Sequence, residues 1–127
     1  MYYDYANNCE FSELLGKTIT KFDVSDDEIF IECSDGSNYS MYHSQDCCES
    51  VYIESVVGDV NDLIGTPILL AEESSSDENP EGVEIEYQDC FEWTFYKLAT
   101  IKGYVDIRWY GDSTGFYSTS VSFVKTN

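Results

Sequence analysis

Apolar residues recur mostly at every second position along this chain, the spacing of a half-buried strand rather than of a helix. Ahead of that pattern, Asn8 stands where it can cap a short helix with Phe11, Leu14 and Leu15 on one side and Gly16 as its stop. From Lys17 onward the alternation predicts strands over residues 18–24, 28–34 and 38–43, joined at Ser25-Asp26-Asp27 and at Asp35-Gly36. Ile29, Ile31 and Cys33 share one face of the second strand; Tyr39, Met41 and His43 share one face of the third. Those faces coincide only if the connecting loop is odd, such as Asp35-Gly36-Ser37 with a bulge, because a slip of one residue turns every side chain over. In that register Cys33 opposes Tyr39.

Residues 50–57 read as a further strand. Asp59 then caps a single helical turn through Leu63 and Ile64, which Gly65 and Pro67 end. Residues 68–71 form a short apolar strand, and residues 74–82 (SSSDENPEG) have the composition of a mobile acidic loop. Beyond it, residues 83–87, 91–101 and 104–110 are extended, and residues 116–124 close a hairpin across 111–115. The aromatic and threonine content of residues 93–100 favours a strand over a helix there. With no internal repeat, the expectation is one domain spanning residues 1–127. Its class is α+β, a mostly antiparallel sheet with one or two short helices; an all-β fold is the alternative.

An apolar content of 43% with 16% aromatics marks a folded protein, since disordered acidic segments are poor in aromatic residues. The charge changes the picture more. Net charge is −19, and residues 22–96 contain twenty Asp or Glu, no Lys or Arg, and one cation-capable group, His43. Such a field repels nucleic acid and attracts strongly basic surfaces. The acids best placed to meet a partner are Asp77, Glu78, Glu81, Glu84 and Glu86 in and after the loop, with Asp23, Asp26, Asp27 and Glu28 at the first hairpin. No apolar run approaches the roughly 20 residues of a membrane span. Met1-Tyr2-Tyr3-Asp4-Tyr5 lacks the basic and apolar regions of a signal peptide, so a cytoplasmic location is expected.

The five cysteines are an odd set, which in a reducing compartment reads as thiols or metal ligands rather than a disulfide framework. Residues 43–49, His43-Ser44-Gln45-Asp46-Cys47-Cys48-Glu49, gather the lone histidine, two thiols and two carboxylates. Zinc takes imidazole nitrogen at about 2.0 Å and thiolate sulfur at about 2.3 Å, usually in a tetrahedron. His43 and Cys47 are four apart and can be aimed at one ion by a tight loop. Adjacent Cys47 and Cys48 point to opposite faces of a strand, so sharing a metal requires a bend. Cys33 would lie about 13 Å from His43 and is a poor fourth ligand; Cys90, Asp46, Glu49 or a distant carboxylate stay open. The bland alternative is that buried thiols and a polar histidine pack a corner.

Other chemistry has weak support from residue type. A catalytic cysteine needs a basic environment, and these surroundings are acidic. Asp23, Asp26, Asp27 and Asp35 lack EF-hand spacing. There is no phosphate-binding glycine pattern and no basic stripe for nucleic acid. The aromatic block Phe91, Trp93, Phe95, Tyr96, Trp109, Tyr110, Phe116 and Tyr117 is read as core and rim, with a partner-binding patch as the minor alternative.

The stretches HSQDCCESVYIESVVGD (43–59), LIGTPILLAEE (63–73), WTFYKLATIKGYVDIRWYG (93–111) and GFYS (115–118) resemble a family of small phage and prophage proteins. The resemblance covers most of residues 11–124, and its most distinctive motif is His-x-Gln-Asp-Cys-Cys-Glu. Some members of such families are anti-CRISPR proteins acting on Cas9, including ones that carry a metal. The resemblance therefore implies a phage-encoded, non-enzymatic inhibitor of a Cas9-type effector or its guide complex, acting in the host bacterial cytoplasm. It also implies a structural zinc at His43, Asp46, Cys47 and Cys48. Two readings stand against it: a small metal-dependent hydrolase, and a phage accessory protein acidic only for solubility.

Overall fold

The alternating segments pair into two antiparallel sheets that close on one shared core. The structure, a computed structural model, describes residues 9–45, 48–80, 82–83, 90–113 and 118–126. Asn8, Asp46, Cys47, Glu81, Glu84, Glu86, Phe116 and Tyr117, together with nearly all of the strand expected at 83–87, lie outside the described residues. The strands are β1 (Ile19–Val24), β2 (Glu28–Cys33), β3 (Asn38–Tyr42), β4 (Ser50–Val57), β5 (Leu70–Ser76), β6 (Cys90–Thr100), β7 (Gly103–Ser113) and β8 (Ser122–Lys125). The first sheet has the order β1-β2-β3-β8 and the second the order β4-β7-β6-β5.

Ile29, Ile31, Tyr39 and Met41 from the first sheet and Tyr96, Leu98, Val105, Ile107 and Trp109 from the second form the buried cluster. Each fully buried side chain of this kind contributes about 1.5–3 kcal/mol. Phe11 enters the same core, its ring 4.7 Å from Tyr96 and 5.3 Å from Phe123. The start of the chain links the two sheets. Gly16 N donates to Ile68 O at 2.9 Å, and Thr18 and Ile19 bridge to Pro67 and Ile64.

Among the described residues the helical segments are two single 3-10 turns, Phe11–Leu14 and Val60–Leu63. Mostly antiparallel sheet is thus what the structure shows, and the all-β alternative describes it better than α+β. Short apolar clusters bounded by glycine can close one turn but are too brief to propagate a helix. The expected cap is present, with Asp59 Oδ1 accepting from Asn61 N at 2.9 Å. No helix among the described residues is long and apolar enough to cross a membrane.

Three local expectations change. The β2–β3 loop is Ser34-Asp35-Gly36, so Cys33 opposes Ser37 instead of Tyr39, and Ile31 opposes Tyr39. The loop is still odd, so the predicted faces survive a register shift of two. Asp35 fixes the turn by accepting from Ser37 N at 2.9 Å and from Lys17 Nζ at 2.7 Å; those hydrogen bonds hold its carboxyl well below the usual carboxylate range. Second, the strand expected at 68–71 starts at Leu70 and runs to Ser76, so Ser74, Ser75 and Ser76 pair with Phe95, Thr94 and Trp93. Polar composition suggested a loop, but β6 offers a free edge and the serines satisfy their backbone on it. Third, β8 pairs with β3 and not with β7, carrying the C-terminal strand into the other sheet.

Candidate functional site

β3 ends in the first sheet at Tyr42 and β4 begins in the second at Ser50, so residues 43–49 form the corner that carries the chain between them. The His43 and Glu49 side chains are 4% and 0% exposed, and His43 Nε2 lies 2.7 Å from Glu49 Oε2. His43 Nδ1 lies 2.7 Å from the carbonyl oxygen of Ser120. A carbonyl can only accept, so Nδ1 carries a proton. A nitrogen and a carboxylate oxygen this close hold a second proton between them. When imidazole keeps that proton the contact is a buried ion pair. Gln45 braces it, its Nε2 donating to Glu49 O at 2.6 Å and lying 3.3 Å from Glu49 Oε1.

Of the four residues expected at a metal, His43 and Cys48 are described and Asp46 and Cys47 are not. Both His43 nitrogens are in use, and Cys48 is exposed and disulfide-bonded, so its sulfur is not a thiolate in this state. Among the described residues no group of three His, Cys, Asp or Glu is arranged to hold a metal ion. Zinc at this corner would require an open disulfide and a His43 nitrogen released from Glu49 or Ser120. No step is assigned to the ion. Cys33 opposes Ser37, which puts it six strand positions from His43, roughly 20 Å. Burial, followed by Glu13, pushes the Cys9 thiol up to about 11, and burial raises Cys33 as well.

Asp26 and Asp27 are exposed in the β1–β2 turn, and the Asp26 carbonyl accepts from Ile53 N of β4 at 2.9 Å. Asp77 and Glu78 are exposed just past β5. Ile53, Trp109, Thr94 and Ser75 follow one another across the second sheet. The two acidic segments therefore flank opposite edges of that sheet, and those edges are three strand spacings or roughly 14 Å apart. They do not merge into one patch. Asp23 lies 3.4 Å from Lys21, and the half-buried Glu28 turns to Ser40 Oγ at 2.6 Å, so these two are less available than the sequence suggests.

Between the two acidic edges lies a layer of aromatic side chains on the outer face of the second sheet. The aromatic block divides by strand alternation: Tyr96 and Trp109 face the core, while Trp93, Phe95 and Tyr110 face outward with Tyr52. Trp93 is nonetheless 0% exposed. Its ring packs 4.7 Å from Tyr110 and 6.5 Å from Phe95, and its Nε1 donates to Asn79 Oδ1 at 3.0 Å. Arg108 lies over it at 5.2 Å and is gripped by Glu54 through contacts of 2.6 and 3.1 Å. That grip holds the Glu54 carboxyl below its ordinary range. The Arg108–Glu54 pair was not anticipated. An arginine at an outward position among Ile107, Trp109 and Tyr110 was the available signal, but its partner comes from a strand 54 positions away.

Comparison with curated proteins and with solved structures returned no match. A family described as a domain of unknown function matches residues 12–123, nearly the whole described fold. The chain belongs to that family, DUF7448.

Proposed function

We propose that this protein is a non-enzymatic, stoichiometric inhibitor that docks its acidic surface on a strongly basic surface of a nucleic-acid-handling protein. One observation carries the reading. Asp26, Asp27, Asp77 and Glu78 are exposed on turns anchored to strands and have no ion-pair partner among the described residues. The cations, by contrast, are largely occupied. Lys17, Lys21, Lys97 and Arg108 pair with Asp35, Asp23, Asp106 and Glu54, and Lys102 donates to Ile64 O at 2.7 Å. Carboxylates held in fixed positions can compete for lysines and arginines that otherwise grip phosphates, because that attraction depends on charge and not on base identity.

The resemblance of the His43–Glu49 segment to phage-borne proteins nominates a Cas9-type effector as the specific partner. Such effectors hold a guide–target duplex in a positively charged channel. The test is a DNA-cleavage assay with this protein added before or after guide assembly, at several salt concentrations. Inhibition should titrate one-to-one, weaken steeply with salt, and be lost in a variant carrying Asp26→Lys, Asp27→Lys, Asp77→Lys and Glu78→Lys. Salt-independent affinity, or inhibition that turns over, would refute the reading.

A further inference from the structure

Four strands lie at sheet edges: β1, β8, β4 and β5. Exposed edges offer unpaired backbone groups to any other strand, and proteins guard them with bulges, lysines, prolines or brevity. β1 has a bulge between Ile19 and Lys21 and displays Lys21. β8 is four residues long and ends in Lys125. β4 has a bulge between Ile53 and Ser55, and its Ile53 N is already bonded to Asp26 O. β5 has none of these guards. It runs for seven residues in unbroken register with β6, and Glu72 to Ser75 are exposed. The Phe11–Leu14 turn packs against β5, and Glu72 to Ser75 stay exposed beside it.

A cavity of about 510 Å³ opens beside this edge on the outer face, lined by Glu72, Ser74, Phe95, Lys97, Asp106 and Arg108 among others. Lys97 and Arg108 are already matched by Asp106 at 3.8 Å and Glu54 at 2.6 Å, whereas Glu72 has no ion-pair partner among the described residues. Ser74, directly across from Phe95, is too small to close the cavity toward the edge. Adjacent Glu72 and Glu73 repel a second copy of this acidic chain and attract a cationic strand.

We propose that β5 is the docking edge for an extended, cationic segment of a partner protein, which adds as a fifth strand to the second sheet. Its alternate lysine or arginine side chains pass over Ser74 to the face of Phe95, beside Glu72. Backbone hydrogen bonds then supply affinity and the cavity supplies selectivity. The proposal rests on the reading that the partner is basic. Its probe is a synthetic peptide of alternating lysine and valine, as long as β5, compared with the same peptide N-methylated along its backbone. Methylation keeps the charge and removes the donors. The expected result is slowed amide hydrogen exchange in Leu70–Ser76 and at least about tenfold weaker binding of the methylated peptide. Equal, salt-sensitive binding of both peptides without protection of β5 would overturn the docking edge and leave the acidic-surface reading standing. Failure of both peptides to bind at low salt would overturn both.

Discussion

Replacing Glu49 with alanine removes a carboxylate that is fully buried and leaves His43 Nε2 facing a void at a site that is 4% exposed. The size of the effect follows from what is stranded. A buried polar group that loses a neutral hydrogen bond costs about 1–3 kcal/mol. Breaking a buried charged pair by deleting one partner costs about 3–5 kcal/mol. Gln45 keeps its bond to the Glu49 backbone oxygen in the variant, so the expected loss is about 3 kcal/mol. For a chain of 127 residues that is roughly a 12 °C fall in melting temperature.

Urea denaturation followed by tryptophan fluorescence should move the midpoint down by about 1.5 M if the slope is near 2 kcal/mol/M. Glu49→Gln keeps shape and one acceptor and should lose about half as much. In a double-mutant cycle with His43→Ala, the two effects should couple by at least about 1 kcal/mol. A loss below about 0.5 kcal/mol, or additive single effects, would refute the pair as the lock of the corner. The same melts with a chelator separate this account from a metal-based one. The His43–Glu49–Ser120 contacts need no ion, so a chelator should leave the wild-type midpoint in place. A chelator that by itself reproduced the loss would sink the reasoning and bring zinc back to this corner.

Trp93→Ala should destabilise by about 3–5 kcal/mol although Trp93 lies outside the main core, because it is fully buried and its N–H is satisfied by Asn79; a loss under about 1 kcal/mol would mean the outer aromatic layer is not packed. The Arg108–Glu54 grip gives a pH test. Arg108 lowers the folded-state value of Glu54, so its stabilisation is complete above the unfolded carboxyl range, near 4.3, and fades as pH falls through the lower folded value. The stability gap between wild type and Glu54→Gln should therefore shrink between pH 7 and pH 3, and a pH-independent gap would exclude the pair as its cause.

The alternation of apolar residues was enough to place β1 to β4, β6 and β7 to within about three residues at their ends, because period two is a local property of each strand. It also showed that Ile29, Ile31, Tyr39 and Met41 share a face, a fact that a two-residue register shift cannot disturb. The Asp59 cap and the exposure of Asp26, Asp27, Asp77 and Glu78 were likewise legible, since both depend on residue type and near neighbours. What alternation does not encode is which edge a strand meets. β8 joining β3, β5 continuing through Ser76 and the division of the aromatic block between two faces were settled by which backbone edges stood open after the sheets closed. The corner at His43 shows the same limit. The sequence placed a histidine, thiols and carboxylates together and pointed to a metal. The fold gave the imidazole Glu49 on one side and, from 77 positions away, the carbonyl of Ser120 on the other. Burying a ring with two polar nitrogens requires two partners, and only the pairing of β8 with β3 could bring the second.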